Sequence, residues 1–111
     1  MDLMIQDGDY ILDHTGQPVA VFGEEEAAQR AAMIFSTIKG FFPYDREFGL
    51  DLYSLSPDSS REQVMLVCNE ALKGREDFML TDAYIEKREN EYYLCFEIEW
   101  RLRRIRKEIK L

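Results

Sequence analysis

Histidine is almost missing from this chain of 111 residues: His14 is the only one, so a multi-histidine metal site is impossible and a histidine-based triad has no support nearby. Cysteine is scarce. Cys68 and Cys95 lack metal-ligand spacing, and each lies in an apolar run, VMLVCNEAL and YYLCFEIEW, where a reduced, buried thiol is expected and a disulfide is not. No glycine-rich phosphate loop follows a strand, and no serine sits in a nucleophile elbow. No apolar stretch reaches bilayer length, and the start MDLMIQDGD is acidic where a signal peptide would be basic. The expectation is a cytoplasmic product with no membrane contact, no metal and no cofactor.

Positive charge is also in short supply. Lys and Arg number 14 against 22 Asp and Glu, for a net charge of −8. The deficit is uneven, because residues 101–111 hold six Arg or Lys against the single Glu108, a balance of +5, while the residues before them sum to −13. An acidic body repels phosphates, so no nucleic-acid partner is expected. The basic, partly apolar terminus suits an acidic surface on another protein or another copy of the chain; the plainer alternative is a solvated terminal face.

What the chain does have is apolar content: 46% hydrophobic residues, with seven Phe, six Tyr and one Trp. That composition excludes a disordered chain and gives one domain with a real core, yet one small enough to gain from a partner. Residues 9–13 (DYILD) and 19–22 (VAVF), separated by HTGQP with Gly16 and Pro18, predict a small N-terminal hairpin with His14 exposed in its turn. From Glu24 the period becomes helical, with Ala27, Ala28, Ala31, Ile34, Phe35 and Ile38 on one side, three glutamates at the N-terminal end and Lys39 and Gly40 closing it. Pro57, and Ser59 three residues before Glu62, predict a second helix with the stripe Val64, Val67, Cys68, Ala71 and Leu72, widened by Met65 and Leu66 and ended by Lys73 and Gly74.

Residues 78–86 and 91–99 predict two strands joined through KREN, with Asn90 in the unusual turn geometry. Tyr92, Leu94, Phe96 and Ile98 share one face; Tyr93, Cys95, Glu97 and Glu99 share the other, which Trp100 enters or caps. The tail RLRRIRKEIKL fits a helical stripe through Leu102, Ile105 and Ile109, while an extended arm is the alternative; a helix or an induced conformation is preferred. The fold class is α+β: two amphipathic helices on a small, mainly antiparallel sheet, with an N-terminal hairpin (1–23), a core (24–100) and a basic C-terminal extension (101–111).

The segment GFFPYDREFGLDL, residues 40–52, concentrates aromatics and charges between glycines and a proline, and predicts an ordered connection between helices. One enzymatic idea is a glycosidase-like carboxylate pair, Glu47 with Asp51, beside aromatics able to stack on sugar; chance neighbours in an acidic chain are the competing explanation. A binding role uses more of the features. The candidate interface residues are Phe41, Phe42, Tyr44, Phe48 and Leu52 in the loop, with Trp100, Arg101, Arg103, Arg104 and Arg106 at the C-terminal end.

From Glu24 to Trp100 the chain resembles the baseplate wedge or sheath-initiator family of contractile phage tails and related injection machines. The most specific portion is FSTIKG followed by FFPYDREFGLDLYSL, where Gly40, Phe42, Glu47, Phe48, Gly49 and Leu52 match a glycine-rich link and an F-G-x-x-L element. Where many relatives carry Glu-Pro-Arg after the second helix, this chain has Leu72, Lys73, Gly74, Arg75, Glu76, Asp77 and Phe78, so contacts tied to that motif are not carried over. The resemblance implies an architectural protein with no catalytic site, present in multiple copies and contacting other wedge proteins and tail sheath subunits. It would assemble in the host cytoplasm and end in the virion tail baseplate. It also implies strand sharing with the first sheath ring, in which Glu97 and Glu99 discourage unwanted pairing and the four arginines steer an acidic partner. Members of that family have at times been described as lysozyme-like; a peptidoglycan-cleaving enzyme, or a stand-alone adaptor, is the alternative.

Overall fold

The computed structural model describes residues 2–3, 5–6, 9–10, 12, 14–15, 17, 20–21, 23–73 and 78–111. The elements run β1 (Asp2–Leu3), β2 (Ile5–Gln6), β3 (Asp9–Tyr10), β4 (Ala20–Val21), α1 (Glu24–Ser36), α2 (Arg61–Leu72), β5 (Met79–Arg88), β6 (Glu91–Trp100) and β7 (Arg103–Lys110). The architecture is α+β. Two helices pack on one face of an antiparallel sheet of order β5-β6-β7, with α1 over β7 and β6 and α2 over β5.

The central strand dictates this arrangement. Leu94, Phe96 and Ile98 of β6 point to the helices and are buried, as the alternating pattern requires. They meet Ala28, Ala31, Ile34 and Phe35 of α1 and the whole predicted stripe of α2, Val64, Val67, Cys68, Ala71 and Leu72. Phe35 and Phe96 contact edge to face at 5.0 Å and 84°, a geometry that contributes about 0.5–1.5 kcal/mol beyond burial. Trp100 extends this inner face, where the sequence had it entering or capping the outer one: its ring packs on the core and lies 3.5 Å from the point where a Cβ on Gly23 would sit. Leu66, by contrast, is exposed and does not widen the stripe.

Several boundaries differ from the sequence expectation for identifiable reasons. Helix α1 stops at Ser36, before Ile38, because Thr37 turns extended and residues 37–39 pair with Leu50 instead: Leu50 N–H donates to Thr37 O at 2.7 Å and Lys39 N–H to Leu50 O at 2.8 Å. The cap of α2 is Ser60, one residue later than expected, its Oγ accepting from Gln63 N–H, while Ser59 Oγ accepts from Ser56 N–H in the preceding turn. At the β5–β6 turn Glu89, not Asn90, carries the positive φ of 56°. In the N-terminal segments β3 pairs with β2 and β4 with β1, while the expected hairpin of 9–13 with 19–22 falls largely outside the described residues. Ile5 N–H donates to Gln29 Oε1, tying this region to α1, and His14 is exposed in a turn as expected. Gly16, Pro18 and residues 74–77 lie outside the described residues.

The tail is the largest departure. It is β7, a full strand of the sheet rather than a helical extension, paired from Trp100↔Arg103 to Tyr93↔Lys110. Ile105 and Ile109 are two of its inward positions, in register with Ile98 and Leu94.

The short parallel bridge Ile38↔Leu50 closes the 40–52 loop at its base and depends on Gly49. Gly49 has φ 109°, and a Cβ there would lie 2.5 Å from the Thr37 carbonyl oxygen and 3.0 Å from Lys39 N. Gly40 has φ 94° but open space around it. Gly49→Ala is therefore expected to cost more than about 2 kcal/mol in urea unfolding, and Gly40→Ala only about 1 kcal/mol of backbone strain; equal effects would contradict this reading of the bridge.

Candidate protein interface

The closed base turns the 40–52 loop into a platform. Phe48 and Leu52 are half-buried and pack on the core beneath it, joined by the fully buried Leu50, so these two candidates anchor the loop. Outward from Phe48 the rings continue: Phe42 lies 5.2 Å from it, and Tyr44 lies 5.8 Å from Phe42 and is 89% exposed. Phe41 is also exposed, at 66%. Turn bonds fix the path, Asp45 N–H to Phe42 O and Phe48 N–H to Asp45 O, with Asp45 Oδ1 accepting from Glu47 N–H. The connection is ordered, as the composition implied. Tyr53, equally exposed on the short 3₁₀ turn Leu52–Ser54, was missed; its signal was the inward Leu52 and Leu55 on either side of it.

Glu47 and Asp51 line the same cleft of about 420 Å³ between this loop and α2. Glu47 is paired with Lys39 at 3.3 Å and its side chain is 78% exposed, while Asp51 accepts a hydrogen bond from Ser54 Oγ at 2.6 Å. Glu47 is therefore held by an ion pair in solvent and Asp51 by the turn it caps at Ser54.

The C-terminal candidates lie around β7, and most of their charge is already engaged within the chain. On the face away from the helices, Arg106 pairs with Glu97 at 2.8 Å and Arg104 with Glu99 at 3.3 Å, each directly across from its partner in the β6–β7 register. On the helix side, Arg103 reaches Glu24 at 3.5 Å and Lys107 reaches Glu25 at 3.2 Å, both at the N-terminal end of α1. Lys110 pairs with Glu91 at 2.7 Å. Glu97 and Glu99 thus hold β7 in register, rather than acting only against stray pairing. Each exposed pair contributes little by itself; together they specify the register.

Arg88 binds both Glu108, at 2.7 Å, and Glu86. Its hydrogen bonds hold both carboxyls below their ordinary pKa. Glu91 is lowered by Lys110, and Glu97 is lowered first by the Thr81 hydroxyl and then by Arg106. Cys95 lies among these groups on the outer face, its Sγ 3.6 Å from Glu86 Oε2, and burial followed by Glu86 pushes its thiol up. Cys68, inside α2, is pushed up to about 12 by burial. Both cysteines are free and buried.

The two sheet edges are unlike. β5 carries a bulge between Leu80 and Asp82 and is crossed by Arg61, which forks onto Asp82 at 2.7 and 2.9 Å and lies 4.4 Å over the Tyr84 ring. β7 pairs on one side only among the described residues, and its register shows no shift. Leu111 N–H donates to Tyr92 O, so by alternation the amides of Arg104, Arg106, Glu108 and Lys110 point away from β6. At the tip, Arg101 and Leu102 have φ of 48° and 66°, the two positive values of a type I′ turn, without the Asn or Gly that adopts them easily.

No protein-family model, curated protein or solved structure matches this chain. Among the described residues, no group of three or more His, Cys, Asp and Glu could hold a metal ion, and no helix is long and apolar enough to cross a membrane.

The four lowered glutamates make acid sensitivity testable. Their stabilisation is fully present above the ordinary carboxyl pKa of about 4.3 and is lost as pH falls through their depressed folded values. Thermal stability should hold from neutral pH to about 5 and fall below about 4. Arg88→Met should flatten that acid limb by releasing Glu86 and Glu108; an unchanged limb would show that Arg88 does not couple them to folding.

Proposed function

We propose that this protein is a structural component of a contractile tail baseplate, joining wedge to sheath and templating the first sheath ring. The observation that carries the reading is the edge of β7. It is an eight-residue strand, bounded by charge and unpaired on its outer side among the described residues, with alternate backbone groups directed outward, and such an edge accepts a strand from another chain. β5 is less suited to the same use, because it is bulged between Leu80 and Asp82 and crossed by Arg61 at Asp82 and Tyr84.

Two further features support an assembly role. The rings of Phe41, Phe42 and Tyr44 stand on a loop pinned at Leu50 and contribute little to the core, a disposition suited to a protein neighbour. The residues carrying the family resemblance also have structural work here: Gly49 permits the bridge, while Phe48 and Leu52 fasten the platform. Because most of the basic residues of β7 are paired within the chain, strand addition would draw its affinity mainly from backbone hydrogen bonds, with arginine steering a smaller part. Assembly in the host cytoplasm, a final place in the tail baseplate and multiple copies per particle belong to this proposal.

A proline in β7 tests it. Arg106→Pro removes an outward amide without removing a β6–β7 hydrogen bond, and proline is tolerated on edge strands. The variant is expected to keep its circular dichroism and to stop nucleating sheath on purified baseplates, while Arg106→Ala still nucleates. Normal sheath initiation by folded Arg106→Pro would overturn strand addition.

A further inference from the structure

The tip between β6 and β7 combines three properties that folding alone does not explain. Arg101 and Leu102 both hold left-handed backbone, although a two-residue loop of this kind is relieved by Asn-Gly. Leu102 is 92% exposed, so its side chain adds nothing to the core. Arg101 makes no ion pair among the described residues, whereas Arg103, Arg104, Arg106, Lys107 and Lys110 all do. The tip is nonetheless held in place: the Arg101 guanidinium lies 4.6 Å over the Trp100 ring, and Trp100 is seated against Gly23 and the core. Strain of this kind persists where the surroundings impose it, and it concentrates at functional sites.

We propose that this tip is a docking plug: Leu102, flanked by Arg101 and by Arg103, which is largely exposed although it also reaches Glu24, enters a leucine-sized apolar socket rimmed by carboxylates on a protein neighbour. The inference rests on the assembly reading, which supplies the neighbour, but it concerns a different surface from the β7 edge. A protein socket fits better than a bilayer. One leucine gives a membrane little apolar area, and a chain of net charge −8 is repelled by anionic lipid. An arginine stacked on a tryptophan is also the composition of interface anchors.

The test uses the full chain with the sheath subunit and wedge proteins of the same tail, comparing wild type, Leu102→Ala and the double variant Arg101→Asn/Leu102→Gly. The double variant should melt about 4 °C or more above wild type because the turn is relieved, yet bind its neighbour at least tenfold more weakly. Leu102→Ala keeps the left-handed backbone and should lose affinity without the gain in melting temperature. If wild type binds and both variants bind equally well, the plug is wrong and the assembly reading stands. If wild type binds neither protein, the assembly reading fails and the plug with it. An unchanged melting temperature in the double variant would remove the strain on which the inference is built. Tip-dependent flotation with anionic vesicles, or tip-dependent dimers in sedimentation, would overturn the assignment to a different protein.

Discussion

The pairing of β6 with β7 is the constraint on which the rest of this structure depends. It places Leu94, Phe96 and Ile98 beneath both helices and makes a three-stranded sheet of what would otherwise be a two-stranded ribbon, an arrangement marginally stable by itself. It also gives the acidic body an internal partner for its basic end. Glu97 and Glu99 meet Arg106 and Arg104 across the ladder, while Glu24 and Glu25 meet Arg103 and Lys107 from above. The segregated charges of the sequence are largely the two halves of a fold contact.

That pairing was written in the sequence in a form easily overlooked. Around the turn at 101–102, Glu97, Ile98, Glu99 and Trp100 are mirrored by Arg106, Ile105, Arg104 and Arg103, which is the pattern of a hairpin with opposite charges facing each other. Two things obscured it. The turn has neither Asn nor Gly, and the inward positions Arg103 and Lys107 are charged because they lie under the glutamates that open α1. Leu102, Ile105 and Ile109 then mimic a helical spacing, although Leu102 is a turn residue in solvent.

Elsewhere legibility followed the strength of the periodic signal. Five buried positions in each helix and the inner face of β6 were readable because one face of each element is continuously apolar. The cap of α2 was missed by one residue, since Ser59 and Ser60 both have the chemistry and only the local turn with Ser56 distinguishes them. In the N-terminal region the described ladders pair β3 and β4 with β2 and β1, which the sequence had not marked as strands. In the loop, the sequence picked out the right segment but not the division within it, because Phe48 and Phe42 differ in depth and not in chemistry. Gly49 decides that division by letting Leu50 reach the Thr37 carbonyl.

The proposed strand addition needs the outer edge of β7, unpaired among the described residues, to be open to another chain. Hydrogen–deuterium exchange of β7, compared between the free protein and the assembled tail, tests this most directly. In the free protein the amides of Ile105, Lys107 and Ile109 should be protected and those of Arg104, Arg106, Glu108 and Lys110 should exchange fast. In the assembled particle the second set should become protected as well. If those four amides stay fast in the particle while the rest of the sheet is protected, β7 is not extended by a partner strand, and the account is contradicted.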